Sequence, residues 1–175
     1  GHALDLYRGD DDYEAFYVAN FILGGNFSAR LMNEVRDERG LTYHISSGIA
    51  GISTDHQGAW RTTVTLSTEA FDVGVDATVD VIREFVSDGI TDEELETVKT
   101  TITGSFVVGL ATTSNLARTL LTNAERGFDV EYVDRFPGVI NRLTREEVDD
   151  AIQRHLSPDH LHVAASGAFP ERVKA

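Results

Sequence analysis

Two adjacent glycines, Gly24 and Gly25, end one apolar-periodic run, and a second run begins within a few residues and closes at Gly40. Breaks so closely spaced leave few options: a helix, a tight turn, a second short helix, then a strand. A glycine at positive φ would stop the first helix. Ser28 stands where an N-cap oxygen would take up the free amides of the second. In that second helix Leu31, Met32 and Val35 share one face, and beyond Gly40 the chain enters Leu41-Thr42-Tyr43. Arg36 and Tyr43 are seven residues apart across this end, so a cation and a phenol flank one junction and can converge on a common point.

The flanking sequence supplies the remaining elements. Residues 3–7 alternate weakly and read as the end of a strand that starts further upstream, with Gly1-His2 as an added leader. Asp10, Asp11 and Asp12 suit the positive end of a helix dipole, and Phe16, Val18, Ala19, Phe21, Ile22 and Leu23 give that helix its buried side. Residues 44–52 and 60–67 read as two strands of a hairpin, the second alternating Trp60, Thr62, Val64 and Leu66 against Arg61, Thr63, Thr65 and Ser67. Helical periodicity returns from Phe71 to Gly89. Thr91-Asp92-Glu93-Glu94 and Thr144-Arg145-Glu146-Glu147 are capping boxes that open two further helices. Gly104 and Gly109 loosen the first of these, and residues 111–115 break it before 116–125 resume. Residues 131–141 form a short helix around Pro137, and 161–166 a last strand. No linker or repeat interrupts the 175 residues, so residues 1–175 form a single domain. Helices segregated from a mostly antiparallel sheet make an α+β two-layer sandwich. A βαβ crossover over 71–89 is the competing reading, but too few strands follow for a doubly wound sheet.

Composition excludes several classes of function. The chain carries 29 acidic against 15 basic residues, a net charge of -14, and that field repels phosphate backbones, so nucleic acid is a poor partner. No apolar run approaches the roughly 20 residues needed to cross a bilayer. The expectation is a soluble protein of the cytoplasm or periplasm, with the compartment otherwise open. With no cysteine there is no disulfide or thiolate chemistry.

Candidate chemistry is sparse. Neither H-x-x-E-H nor H-E-x-x-H occurs, so the helical zinc pair with its glutamate is absent. His160 and His162 lie at strand spacing with His155 nearby, but no carboxylate completes a ligand set, and surface positions explain them. There is no G-x-S-x-G and no serine in an activating setting. The acidic clusters at 10–12, 92–94 and 146–150 sit at helix starts, where capping and the dipole account for them. The Gly-Gly loop lacks the lysine and spacing of a phosphate loop. Arg36 and Tyr43 remain, and on their own they read better as a structural arginine and a sheet tyrosine than as a site.

The run LGGNFSARLMNEVRDERGLTY resembles the L-G-G-x-x-x-S-R-L and R-E-x-R-G-L-x-Y patterns of the pitrilysin, insulinase and mitochondrial processing peptidase family, specifically its non-zinc C-terminal domain. Residues 12–15, 89–95, 143–148 and 156–161 extend the resemblance over nearly the whole chain. Asp37 stands where the family often has Glu, Ala29 where Ser is common and His44 where a small residue is usual; the Arg and Tyr positions are intact.

The resemblance implies an antiparallel sheet under helices, duplicated within family members. It implies a zinc endopeptidase in which the metal and its glutamate lie on a different, H-x-x-E-H-bearing domain or subunit. This chain then needs no cofactor of its own, zinc sits in the partner domain, and the chain is inactive alone. Arg36 and Tyr43 match the pair with which the facing domain holds peptide carbonyls and stabilises charge on the tetrahedral oxygen. The alternative is a catalytically inactive scaffold subunit of the same fold, for which an intact pair would have no use.

Overall fold

A computed structural model describes residues 1–168. Strand β1 (His2–Ala3) is followed by helix α1 (Tyr13–Gly24), a π-helical segment (Met32–Glu38) and strands β2 (Ile45–Ala50) and β3 (Ala59–Val64). Helices α2 (Phe71–Asp88), α3 (Asp92–Gly109), α4 (Thr113–Glu125), α5 (Tyr132–Arg142) and α6 (Arg145–His155) complete the regular structure, with a 3-10 turn at Pro158–His160. The three strands form an antiparallel sheet in the order β1-β3-β2, with Ile45 opposite Val64 and His2 opposite Trp60. The expected α+β arrangement is what the chain adopts.

The core lies between the sheet and α1, which in turn carries α3 and α6 on its other sides. Trp60, Phe16, Leu23, Leu31, Ile45, Phe85 and Ile152 are among its fully buried side chains. Burying one such side chain contributes about 1.5–3 kcal/mol. Asn20 is the polar centre of the layer: its Oδ1 accepts from Trp60 Nε1 at 2.9 Å and from Ser47 Oγ at 2.8 Å, tying α1 to both β3 and β2.

Both capping boxes form: Thr91 and Thr144 each accept from the amide three residues on, and Glu94 and Glu147 reach back to the cap amides. Other expectations are corrected. Gly24 and Gly25 do not have positive φ. They are glycines for want of room: a Cβ on Gly24 would lie 2.6 Å from Ser47 Oγ, and one on Gly25 2.7 Å from Phe21 Cα. Gly40, at φ 63°, is the stop of left-handed type. Asn26, not Ser28, shapes the turn, its Oδ1 accepting from the Ser28 amide and its Nδ2 donating to Phe21 O. Helix α3 runs unbroken through Gly104. His2 belongs to the sheet, its ring tilted on Trp60 at 5.8 Å. The expected strand over 161–166 is reduced to one pair, Gly1 and His162 exchanging both backbone hydrogen bonds.

Arg30 locks the second turn to the start of α3. Its Nε and Nη2 meet the two oxygens of Glu94 at 2.6 and 2.8 Å, and Nη2 also reaches Gly89 O. Burial works against charge on Glu94, but the Arg30 fork and the Thr91 amide outweigh it and hold the carboxyl below its ordinary 4.5. A lowered folded value means the pair stabilises the fold above pH 4.5 and the contribution is lost as pH falls through the folded value. Glu94→Gln should therefore lower stability by about 1.5–3 kcal/mol at neutral pH and flatten the acid limb of a stability–pH curve. Gly24→Ala should cost about 1–3 kcal/mol in denaturant titration, although alanine is the better helix former, because the added methyl meets β2.

Candidate functional site

The junction after the π-helical segment is where the sequence places Arg36 and Tyr43. The winding is not the α-helix that the periodicity suggests. Arg39 N–H reaches back to Glu34 O and Leu41 N–H to Val35 O, so the turns are wider than α. Wide turns of this kind recur at functional positions. Leu31, Met32 and Val35 still anchor the segment in the core, as their shared face implies. Thr42 then pins the exit: its Oγ1 donates to Thr65 O at 2.6 Å and accepts from the His44 amide.

These anchors leave two side chains facing outward on either side of the junction. Tyr43 is 93% exposed. The Arg36 side chain is 35% exposed, with Nη1 3.0 Å from Asp37 Oδ1 and the guanidinium 5.6 Å from the centre of the Phe27 ring. Phe27 is itself 74% exposed. Arg36 and Tyr43 thus flank the exposed junction without a direct bond between them, and Phe27 stands beside Arg36, a neighbour that the sequence reading missed. Its place immediately after Gly-Gly-Asn was the available signal.

A buried arginine–tyrosine pair elsewhere in the chain shows what a structural version looks like. Arg8, 6% exposed, donates to Glu14 Oε1 at 2.6 Å and to Tyr132 Oη at 2.8 Å, and its guanidinium lies 3.9 Å from the Tyr13 ring centre. Tyr132 in turn donates to Glu14 at 2.7 Å, and burial followed by that bond pushes its phenol far up. Arg8 Nε is buried without a hydrogen-bond partner, while both terminal nitrogens of the guanidinium are held.

The histidines do not assemble. His155 is buried, edge-on to Phe16, with Nε2 2.6 Å from Asp12 Oδ2, which corrects its surface assignment. Asp12 therefore pairs with α6 instead of capping α1; its carboxyl is held below the usual range because the His155 and Arg154 contacts outweigh burial. Among the described residues no group of three or more His, Asp or Glu could hold a metal ion. The described residues do not fit a zinc site. Among the same residues no helix is long and apolar enough to cross a membrane.

The contrast between the two pairs is measurable. Arg36→Ala and Tyr43→Ala should leave stability within about 0.5 kcal/mol of the parent chain. Arg8→Ala, which strands buried Glu14, should cost about 3–5 kcal/mol in the same chemical denaturation.

Comparison with known proteins agrees with the fold and its most specific stretch. The model of the peptidase M16 inactive domain matches residues 4–102. An uncharacterized zinc protease of Mycobacterium bovis is 31% identical over 178 residues, covering 96% of this chain and 39% of that protein. A non-peptidase homolog from Helicobacter pylori is 26% identical over 149 residues, covering 84% of this chain and 34% of that protein. The crystal structure of a peptidase M16 inactive domain from Pseudomonas fluorescens superimposes with a TM-score of 0.80 at 31% identity, over 90% of this chain and 37% of that one. The chain spans between a third and two-fifths of the length of the curated relatives it matches. With more than half its length matched, and in line with the resemblance carried by its Gly-Gly and Arg–Tyr motifs, the chain belongs to the peptidase M16 inactive-domain family.

Proposed function

We propose that this domain is the substrate-binding half of a zinc endopeptidase, acting with a separate H-x-x-E-H domain or subunit and presenting Arg36 and Tyr43 to the peptide. The observation that carries the reading is the contrast between two arginine–tyrosine sets. Arg8 and Tyr132 are enclosed and mutually bonded, whereas Tyr43 projects almost wholly into solvent and Arg36 meets only short-range neighbours. A fold that can bury such groups when they serve stability has left these two on display at a rigid junction.

Their chemistry suits peptide carbonyls. A guanidinium offers five N–H donors in a fixed fork and a phenol one O–H. Donors aimed at an oxygen on which negative charge develops stabilise that charge more than the neutral carbonyl. Phe27 adds an apolar face for a side chain of the bound peptide. Zinc, which polarises a carbonyl and activates water, would be held by the partner, since the described residues here offer it no ligand set. Because the two halves must meet, activity would depend on closure. In this reading residues 1–175 are one domain of a larger assembly, working on the aqueous side of any membrane.

A second reading is supported by the Helicobacter pylori relative, which is named a non-peptidase homolog. Under it the domain is a scaffold with an idle junction. Cleavage of a quenched unstructured peptide separates the two. The domain alone should be inactive, and chelator-sensitive cleavage should appear on mixing with an H-x-x-E-H partner domain. Arg36→Ala and Tyr43→Phe should each lower kcat/KM in the mixture by about 100-fold. A mixture that associates but stays inactive would favour the scaffold.

A further inference from the structure

Residues 100–117 are the longest stretch of this chain without an aspartate, glutamate, lysine or arginine, although the whole carries a net charge of -14. The stretch is not core. Helix α3 leaves the interior after Ile102, its last buried residue, with Phe106 half-buried against the Phe136 ring at 4.6 Å. Helix α4, joined to it through residues 110–112, has its main contact with α5 rather than with α3, and buries only Asn123. The two helices therefore expose Val107 and Val108 on one and Leu116 and Leu121 on the other. Apolar side chains left out in such number mark a surface that binds something.

The chemistry of this face says what suits it. Charge on α3 ends with Glu96 and Lys99, which pair with each other at 2.8 Å. Beyond them the exposed Thr100 and Thr101 donate their hydroxyls to Glu96 O at 3.0 Å and Thr97 O at 2.9 Å. A threonine whose hydroxyl is spent inside its own helix meets a partner chiefly through its methyl group. Gly104 weakens the helix, yet a Cβ there would meet nothing within 4 Å, so no neighbour in this domain requires the glycine. It leaves bare backbone for a close approach from outside. A second copy would bring one acidic field against another. A charged segment would lose its hydration with no counter-charge to replace it. An extended peptide with uncharged aliphatic side chains meets neither obstacle.

Such a peptide is already at hand if Arg36 and Tyr43 hold one. The Arg30–Glu94 pair ties the turn before that junction to the first turn of α3. The 18 residues of α3 then span about 27 Å to the exposed valines. An extended peptide covers that distance in about eight residues. A segment tethered at the junction would reach the far face at high effective concentration, so modest apolar contacts there add to its affinity. We propose that the exposed face of α3 and α4 is a second peptide-binding site, selective for an uncharged aliphatic segment about eight residues from the carbonyl held at Arg36 and Tyr43. The site rests on the reading of this domain as the substrate-binding half. It adds a substrate class to that reading: peptides long enough to span α3 and apolar at that spacing.

Binding of labelled, unstructured peptides to this chain alone, read by fluorescence anisotropy, is the test. Two peptides share a Gly-Ser-Gln background; one carries a Leu-Val-Leu-Val block and the other Glu-Ser-Glu-Ser in its place. The aliphatic peptide should bind at least about tenfold tighter. Val108→Ser and Leu121→Ser, both at exposed positions, should each shrink that advantage while leaving the weaker peptide's affinity and the thermal midpoint unchanged. Arg36→Ala should weaken both peptides by the same factor. Equal affinity for the two blocks, or an advantage that survives both serine variants, would overturn the proposal. So would a dimer of the chain that Val108→Ser disperses in sedimentation, or loss in that variant of association with an H-x-x-E-H domain, since the face would then serve a second copy or the partner. An advantage that persists while Arg36→Ala changes neither affinity would support the face and count against the junction, so the two readings fail separately.

Discussion

The close approach of α1 to the sheet is the constraint on which the other contacts rest. Asn20 sends one side-chain oxygen to both Trp60 and Ser47, and Gly24 lets the end of the helix settle against Ser47 where any side chain would collide. A buried amide whose oxygen is doubly satisfied by fixed partners has one comfortable position, and leaving it unpaired would cost about 1–3 kcal/mol. With α1 fixed in depth and rotation, the turn at Asn26 delivers the π-helical segment to a set place above β2. The exposed junction therefore inherits its position from a contact one helix away.

That inheritance gives physical meaning to the difference between the two arginines. Arg8 lies under aromatic rings from α1 and α5 and ties the N-terminal segment to the C-terminal helices across more than a hundred residues. Arg36 and Tyr43 bind nothing distant. Stability is concentrated in the first set and leaves the second set available.

What the sequence made legible was whatever is encoded locally. Thr91 with Glu94 and Thr144 with Glu147 are complete within four residues, and both capping boxes form as read. The alternation over β3 and the apolar face of Leu31, Met32 and Val35 are likewise short-range signals. Interactions between distant residues stayed hidden. Gly24 was assigned to a φ requirement because its true neighbour, Ser47, is 23 residues on. Asp12 read as a dipole residue because its partner His155 lies near the other end of the chain. The Arg8–Glu14–Tyr132 cluster left no trace in local pattern for the same reason. Arg36 and Tyr43 could be placed at one junction by spacing, but their exposure, and the company of Phe27, follow from packing. The π winding was invisible because its apolar residues also satisfy a 3.6-residue period.

The wide winding changes what counts as a conservative alteration near the junction. In an ordinary helix each residue advances about 100° around the axis. Between Glu34 and Arg39 the backbone has taken up an extra residue per turn while keeping Met32 and Val35 seated. The direction in which Arg36 points is thus written in the count of residues between two anchors, more than in their identities. A chain that kept every letter but lost one position there would wind back toward α and swing the guanidinium off its bearing. Insertions and deletions, not substitutions, are the changes by which a lineage would most cheaply retire this junction.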